Sequence, residues 1–503
     1  MKYILALSLI LFSSHGFSQQ HASLVPDEPS KADDYFCTWN IQGYLTSYLS
    51  TPEQRAAMTE ANLLGKGKFQ NWVEFYPKIR KDLIFVMDDS WDIPATANEG
   101  GNNKYLGMVV LDSTRFPGFT GTPAVRMKKL VAAVKAKGWK GLGGWVCAQE
   151  APITAGSDAK AYWTERLTTA NESGFGYWKV DWGKQEKNGD WRSMLTQLGR
   201  TYAPHLVIEH ALDEHFISFS DAFRTYDVEN VIAQPTTIKR IAQLLKYKQE
   251  ADAKSIINCE DEPYIAAGLG CAIGVMRHPF AGNLPNGTID FAFPPVGRNI
   301  KLRMDEIVRG VRWHRIAVPF AVGTNDYHVN EEVLEDKWVL GYRETWSGAK
   351  VGDTLKANAP ASVSRGLPLP TVTASGSAKP FVLSALYPNG AIAIATIGRG
   401  INHTYITERA DVEQQIPDIA HPIGIFGDYH SLQLVLPAGT RTAGYQVWAQ
   451  DLAGDKPVNI TGKITIKDNR ITIPGEVIRK VGLSAATKND LSDPGMVVEF
   501  MKQ

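Results

Sequence analysis

Apolar residues gather in eight short, unbroken runs down the first two-thirds of the chain: Tyr35–Tyr44, Asp82–Asp89, Gly141–Ala148, Tyr177–Trp182, Leu206–Ala211, Ala222–Val228, Ser255–Glu260 and Ile273–Pro279. Few of them alternate apolar with polar, which is the pattern of strands buried on both faces. Between them the period lengthens. Pro123 to Lys137 carries Val125, Met127, Leu130, Val131 and Val134 before a stop at Gly138, and Thr236 to Ala251 sets Ile238, Ile241, Leu244 and Leu245 on one face. Strand and helix in alternation, repeated eight times, predict an α/β fold in the form of a (β/α)8 TIM barrel, since each parallel return needs a crossover.

The texture then changes. From about 351 to 379 the chain is rich in Ala, Ser, Pro, Thr and Gly, as in Leu367-Pro368-Leu369-Pro370. After it come short alternating segments, Ala391–Ile397, His430–Leu436, Gly444–Ala449, Lys463–Lys467 and Arg470–Ile473, the last two joined by the tight-turn dipeptide Asp468-Asn469. The expected organisation is a barrel over 19–350, a linker over 351–379 and a C-terminal antiparallel β-sandwich domain over 380–503.

The first residues add a processing step. Met1-Lys2, the apolar stretch from Tyr3 to Phe12 and the small residues before Gln19 read as a signal peptide over 1–18, too short to span a bilayer. An exported protein, periplasmic or extracellular, is expected. Lys+Arg and Asp+Glu both number 53, so no net charge marks a nucleic-acid or membrane partner. Cys37, Cys147, Cys259 and Cys271 are too few for a disulfide framework and show no C-x-x-C. His205, His210 and His215 lack the spacing that gathers ligands on one face, so neither a metal nor another cofactor is expected.

Chemistry collects where the runs end, which is where a parallel barrel builds its active site. Lys179 and Asp181 close the fourth run two residues apart, hence on one face of a strand. An ammonium beside a carboxyl favours its ionised form, which suits a nucleophile. Arg224 and Asp227 close the sixth run. Two carboxyls pushed toward opposite protonation states are what glycoside hydrolysis requires. Asp88 and Asp89 form a second acidic pair; sugar hydroxyls or a divalent cation would compensate it, and the Trp91 indole offers a wall. Each cluster taken alone also reads as an ion pair or a solvated turn.

Together the segments resemble glycoside hydrolase clan D, most closely the family 27 α-galactosidases, with family 36 as the neighbouring option. Cys37-Thr38-Trp39-Asn40 resembles the family's G-W-N-S-W-N opening, and Val86-Met87-Asp88-Asp89-Ser90-Trp91 its D-D-G-W segment. Asp112-Ser113-Thr114-Arg115-Phe116-Pro117 through Gly144 is similar to its F-P-x-G, helix and third strand. Tyr177 to Trp182 matches its K-x-D element, and Phe223 to Val228 its W-R-x-x-D-I element. Five segments in order over about residues 35 to 345 are far more specific than one.

The resemblance implies a retaining exo-glycosidase acting on terminal α-galactose, with Asp181 as nucleophile and Asp227 as general acid/base. It implies that Asp88 and Asp89 receive the 4- and 6-hydroxyls, that Lys179 reaches the ring hydroxyls and that Trp39 packs on the sugar. Arg224 and Glu209 would line the 2-hydroxyl side, Glu209 with Leu212 matching the E-x-x-L pattern of galactose-binding members. Cys147 lacks the partner the family places after the nucleophile, where Trp182-Gly183 stands, which puts that disulfide in doubt. Cys259-Glu260-Asp261-Glu262 only loosely resembles the family's D-P-D element. β-L-Arabinopyranosides and α-N-acetylgalactosaminides are the competing substrates. A sugar-binding barrel without turnover, and more remotely a metal-dependent hydrolase, are the competing functions.

Overall fold

A computed structural model describes residues 22–97, 107–149, 158–225, 232–250, 252–280, 283–288, 302–341, 350–401, 404–442 and 444–502. Eight parallel strands close a barrel in chain order: β1 (Tyr35–Cys37), β2 (Ile84–Met87), β3 (Gly141–Val146), β4 (Tyr177–Val180), β5 (Val207–His210), β6 (Ala222–Arg224), β7 (Ile256–Glu260) and β8 (Ala272–Val275), with β8 pairing back to β1. Seven of the eight apolar runs contain a strand and the eighth overlaps β8, which starts one residue before it; each strand is shorter than its run. The largest difference is at the first. The chain leaves the sheet at Thr38 and turns into a helix over Trp39–Leu45, where Ile41, Tyr44 and Leu45 keep helical spacing.

The helices Pro123–Ala136 and Ala233–Leu244 lie on the outside of the barrel, burying Met127, Leu130, Val131 and Val134 in one case and Ile238, Ile241 and Leu244 in the other. Thr122 caps the first by accepting a hydrogen bond from the Val125 amide, with Pro123 at the first helical position. Among the described residues no helix is long and apolar enough to cross a membrane.

The C-terminal part is a sandwich of an eight-stranded and a five-stranded sheet, with a four-stranded sheet beside them. Most of its ladders are antiparallel, but parallel pairs also occur, as between Ile392–Ile397 and Ile423–Phe426. The expected linker is not one. Residues 351–379 contain strands over Thr354–Pro360, Ser362–Arg365 and Thr371–Ala374. Two of these alternate exposed with half-buried positions, so small polar residues stand where a core strand would carry large apolar ones. The last barrel helix ends at Trp313, and Tyr327–Val329 and Val333–Val339 already pair with sandwich strands, well short of the expected boundary at 350. The Asp468-Asn469 turn joins strands ending at Lys467 and starting at Arg470, with Asp468 at φ 55° as a tight hairpin requires.

One face of the eight-stranded sheet shares the barrel's core through Phe381, Leu383, Ala393 and Ala395. Its other face, with Val382, Ile392, Ile394 and Ile425, closes on the five-stranded sheet. Strands covered on both sides explain why Phe381–Leu386 and Ile392–Ile397 are almost wholly buried. Polar contacts fix the joint. The fully buried Arg309, on the last barrel helix, donates to both carboxylate oxygens of Asp451 at 2.9 and 3.2 Å, and Asp451 also receives the amides of Ala453 and Ala485. Removing one partner of such a pair leaves an uncompensated buried charge. Arg309→Met should therefore lower unfolding free energy by about 3–5 kcal/mol. A shift of that size in urea unfolding is expected, and a variant within experimental error of the parent would show that the joint does not depend on this pair.

Candidate active site

Strand parity places the polar groups. On β4, Trp178 and Val180 point into the outer core, so Tyr177 and Lys179 point into the barrel. The rings of Tyr35 and Tyr177, from strands that are not neighbours, meet at 5.1 Å inside it. Outward Ile257 and Cys259 likewise turn Asn258 and Glu260 inward on β7. Gly274 on β8 makes room for them: a Cβ there would lie 2.8 Å from both the Tyr35 hydroxyl and the Asn258 amide oxygen.

Arg224 joins the interior groups. Its guanidinium reaches Asp181 Oδ1 at 2.9 Å, Glu209 Oε1 at 3.0 Å and Glu260 Oε1 at 3.7 Å. Tyr177 donates to Glu209 at 2.8 Å and Tyr35 to Glu260 at 3.1 Å. Lys179 bonds Asp88 at 2.9 Å and lies 3.9 Å from Glu260. The Trp145 indole, on β3, donates to Asp181 Oδ2 at 2.9 Å. Both Asp181 oxygens thus face donors, and its backbone amide is tied to the Val146 carbonyl at 3.0 Å.

Exposure and charge separate these carboxyls. The Asp181 side chain keeps 9% of its surface, Asp88 5%, Asp89 4%, Glu260 3% and Glu209 none, so Asp181 is the one best placed to meet a solute. Burial alone would raise its pKa, but Arg224, Lys179 and the Trp145 bond outweigh it and hold the carboxyl below its ordinary value. Glu209, wholly buried, is pushed up to about 7 despite Arg224. Burial works against the charge of Lys179 too, yet Asp88 and its other neighbours keep the ammonium well above the ordinary lysine range.

The acidic pair after β2 is split between two cations. Asp88 accepts from Lys179 and from the Cys37 thiol at 2.8 Å, and from the Asp89 amide at 2.8 Å. Asp89 instead accepts from Arg55 Nε and NH2, each at 2.8 Å, and from Ser90 Oγ at 2.8 Å. Burial raises the Asp89 pKa, with Arg55 opposing it. Ser90 sits at φ 87°, a strained conformation for a residue with a Cβ, as the chain turns sharply off β2.

Two expectations change. Trp91 is not a pocket wall. Its indole points out of the barrel, donates to the Trp145 carbonyl at 2.8 Å and stacks on Phe175 at 5.3 Å, over Gly144, where a Cβ would clash. Glu209 does not face a ligand either, because parity puts it beneath Arg224, where both its oxygens are occupied. Cys147 and the other three cysteines are free and buried. Trp39 is half-buried against the inner cluster at the start of its helix, and Leu212, half-buried at φ 82°, lies just beyond β5. Asp227 lies outside the described residues.

Residues outside the predicted set complete the site. Arg55 and Trp145 lie away from the strand-end charges, and Glu260, from the segment that only loosely resembles the D-P-D element, enters by its inward parity. Arg192 holds the main chain at the end of β4, donating to the carbonyls of Asp181 at 2.7 Å and Val180 at 3.3 Å. His210 braces Arg192 by accepting its N–H at Nδ1 (3.0 Å), while Nε2 meets Thr196 at 2.7 Å. Burial and Arg192 keep that histidine neutral, well below its usual pKa. Nothing in the sequence pairs these residues, since Arg192 lies on the helix Gly189–Tyr202 and not on a strand end.

No family model and no curated protein matches the chain. Solved structures with a similar course include α-galactosidase I from Mortierella vinacea, 12% identical, covering 94% of this chain and 97% of that one with a TM-score of 0.41. A β-L-arabinopyranosidase from Geobacillus stearothermophilus is 10% identical, with 89% and 94% coverage and a TM-score of 0.40. An α-galactosidase from Saccharomyces cerevisiae is 9% identical, with 94% and 97% coverage and a TM-score of 0.37. Likeness at this level decides nothing about activity; the barrel is established by its own strand pairing.

The Trp145 bond has a measurable consequence. A group whose pKa is lowered is ionised above that pKa and loses its charge as pH falls through it. Trp145→Phe removes a donor that favours the ionised form. The pKa of Asp181, followed by carboxyl NMR or as the acidic limb of any activity that needs its charge, should move upward toward the ordinary range. An unchanged titration would mean that Arg224 and Lys179 suffice alone.

Proposed function

We propose that the chain is a retaining exo-glycosidase acting on a terminal sugar of galactose configuration: an α-galactoside or its pentopyranose counterpart. The observation that carries this reading is the Asp181 carboxylate. It stands at the carboxyl end of β4, held ionised by Arg224 and Trp145, and is the most exposed carboxyl of the interior cluster. A fixed carboxylate at a barrel mouth can act as an oxygen nucleophile toward an anomeric carbon.

In the first step an Asp181 oxygen bonds to the anomeric carbon while the glycosidic C–O bond breaks. Asp227, three residues past Arg224, gives its proton to the departing oxygen. Water then attacks the glycosyl-enzyme, Asp227 takes the water's proton, and the bond to Asp181 breaks with its electrons returning to the carboxylate. The two inversions leave the anomeric configuration as it began. Asp88, Lys179 and Trp39 border the same mouth and supply an acceptor, donors and an apolar face for the ring. Export to the periplasm or the outside, where such glycosides are met, fits the N-terminal signal-like segment.

Asp181→Asn should lower turnover of an aryl α-galactoside or aryl β-L-arabinopyranoside by at least roughly 10³-fold, about 4 kcal/mol of barrier. Asp227→Asn should cost roughly 10²–10⁴-fold on a substrate with a poor leaving group, and less with nitrophenol. Proton NMR of the parent should show the first-formed sugar with the substrate's anomeric configuration. Near-parental activity of Asp181→Asn, or an inverted first product, would sink the proposal. Sugar binding without hydrolysis across a panel of aryl glycosides would favour a binding barrel instead.

A further inference from the structure

Arg192 carries a charge that the groups it touches do not cancel. The residue is fully buried, and its donors go to three main-chain carbonyls, Glu186 at 2.8 Å, Val180 at 3.3 Å and Asp181 at 2.7 Å, and to His210 Nδ1 at 3.0 Å. These acceptors use its hydrogen-bonding capacity without neutralising it. A closed ring of bonds keeps His210 neutral: with Nδ1 accepting from Arg192, Nε2 donates to Thr196 at 2.7 Å, and the Thr196 hydroxyl donates to the Arg192 carbonyl at 3.1 Å. The Phe216 ring, 5.3 Å from the guanidinium, offers only its quadrupole. Arg192 also stands one turn into the helix Gly189–Tyr202, whose N-terminal partial charge is positive and opposes a cation.

The other cations around Asp181 have further carboxylates: Arg224 has Glu209 and Glu260, and Lys179 has Asp88. Arg192 forms no ion pair among the described residues. A buried charge requires a counter-charge. The carboxylate that acts on it most strongly is Asp181, with Glu186 weaker. Arg192 thus grips the main chain of the same residue whose side chain answers its charge.

We infer that Arg192 is a positioning residue for the nucleophile, which draws on the Asp181 carboxylate as its main counterion and so favours that carboxylate over its sugar ester. The inference rests on the glycosidase reading above. In the first step an Asp181 oxygen bonds to the anomeric carbon and the glycosidic bond breaks, its electrons leaving on the departing oxygen. Asp181 is then neutral and Arg192 uncompensated. In the second step water bonds to that carbon, its proton passes to Asp227, and the ester bond's electrons return to Asp181, restoring the counterion. The charge of Arg192 opposes the first step and drives the second, so the covalent intermediate does not accumulate.

The test sets Arg192→Gln, which removes the charge, beside Arg192→Lys, which keeps it. The substrate is the 2,4-dinitrophenyl glycoside of whichever sugar the parent hydrolyses, α-D-galactose or β-L-arabinopyranose, because that leaving group needs no acid and the second step then limits turnover. In Arg192→Gln, kcat and KM should fall together by about 5–10-fold, with kcat/KM changed much less and a burst close to one equivalent. The KM of Arg192→Lys should stay nearer the parent's. An unchanged or raised KM in Arg192→Gln, or an equal fall in Arg192→Lys, overturns the inference and leaves the glycosidase reading intact. No hydrolysis by the parent overturns both.

Titration gives a readout independent of turnover. The Asp181 pKa, followed by carboxyl NMR, should rise in Arg192→Gln and hold in Arg192→Lys. Both variants leave in place the other groups that act on it, Arg224 on β6, Lys179 on β4, the Trp145 indole and Cys147 just past β3. Where Arg192→Gln is too unstable for either measurement, its urea unfolding is compared with and without Asp181→Asn. The second change should offset part of the loss, since it removes the orphaned partner, and strictly additive losses overturn the inference.

Discussion

Everything at the mouth of this barrel depends on Arg224 being surrounded by carboxylates and shut off from solvent. Its guanidinium meets Asp181, Glu209 and Glu260 together, and its side chain has no exposure. A buried charge is tolerated only when it is paired and its remaining hydrogen-bonding capacity is used. The barrel meets that demand by turning the Tyr35 and Tyr177 hydroxyls onto Glu260 and Glu209 and by omitting a side chain at Gly274. Compensation is incomplete, since Glu209 is driven up to about 7 even beside Arg224.

The sandwich serves that arrangement from outside. The helix Pro263–Leu269, which follows β7, is buried along its whole length because the eight-stranded sheet covers it. Arg365 from that sheet donates to the Leu269 and Ala321 carbonyls, and Tyr387 to the Ala267 carbonyl, closing polar groups at the seam. A β7 held between barrel neighbours and a covered helix keeps Glu260 and Asn258 in register with Arg224, whose Cα pairs with Asn258.

The barrel was legible in the sequence because strands buried on both faces leave continuous apolar runs, and these recur eight times with helical segments between them. Their ends were not legible. The run through Tyr44 continued past Thr38 because a buried helix and a buried strand have the same composition there. The segment 351–379 looked like a linker because edge strands need few large apolar residues. At the site, Lys179, Asp181, Asp88 and Arg224 were found because a charge interrupting an apolar run stands out. Trp91 and Glu209 were misplaced for one shared reason: a strand end shows which residues are near the mouth, but only parity and the next turn show which way they point. Arg55 and Arg192 left no such mark because each reaches the site from a helix, and Trp145, near the end of β3, carries no charge to stand out.

The five carboxyls held by Arg224, Lys179 and Arg55 would be interchangeable if composition decided their roles. Their partners make them distinct. Glu209 and Glu260 have tyrosine hydroxyls and Arg224 and are more deeply buried than the other carboxyls, so they position that guanidinium. Asp89 is consumed by Arg55 and Ser90. Asp88 is held by the Lys179 ammonium and the Cys37 thiol. Asp181 alone combines two strong donors, a lowered pKa and the largest remaining exposure, with its main chain pinned by Arg192 and the Val146 carbonyl. A nucleophile needs charge, fixed direction and access together, and the counterions around this barrel give all three to a single side chain.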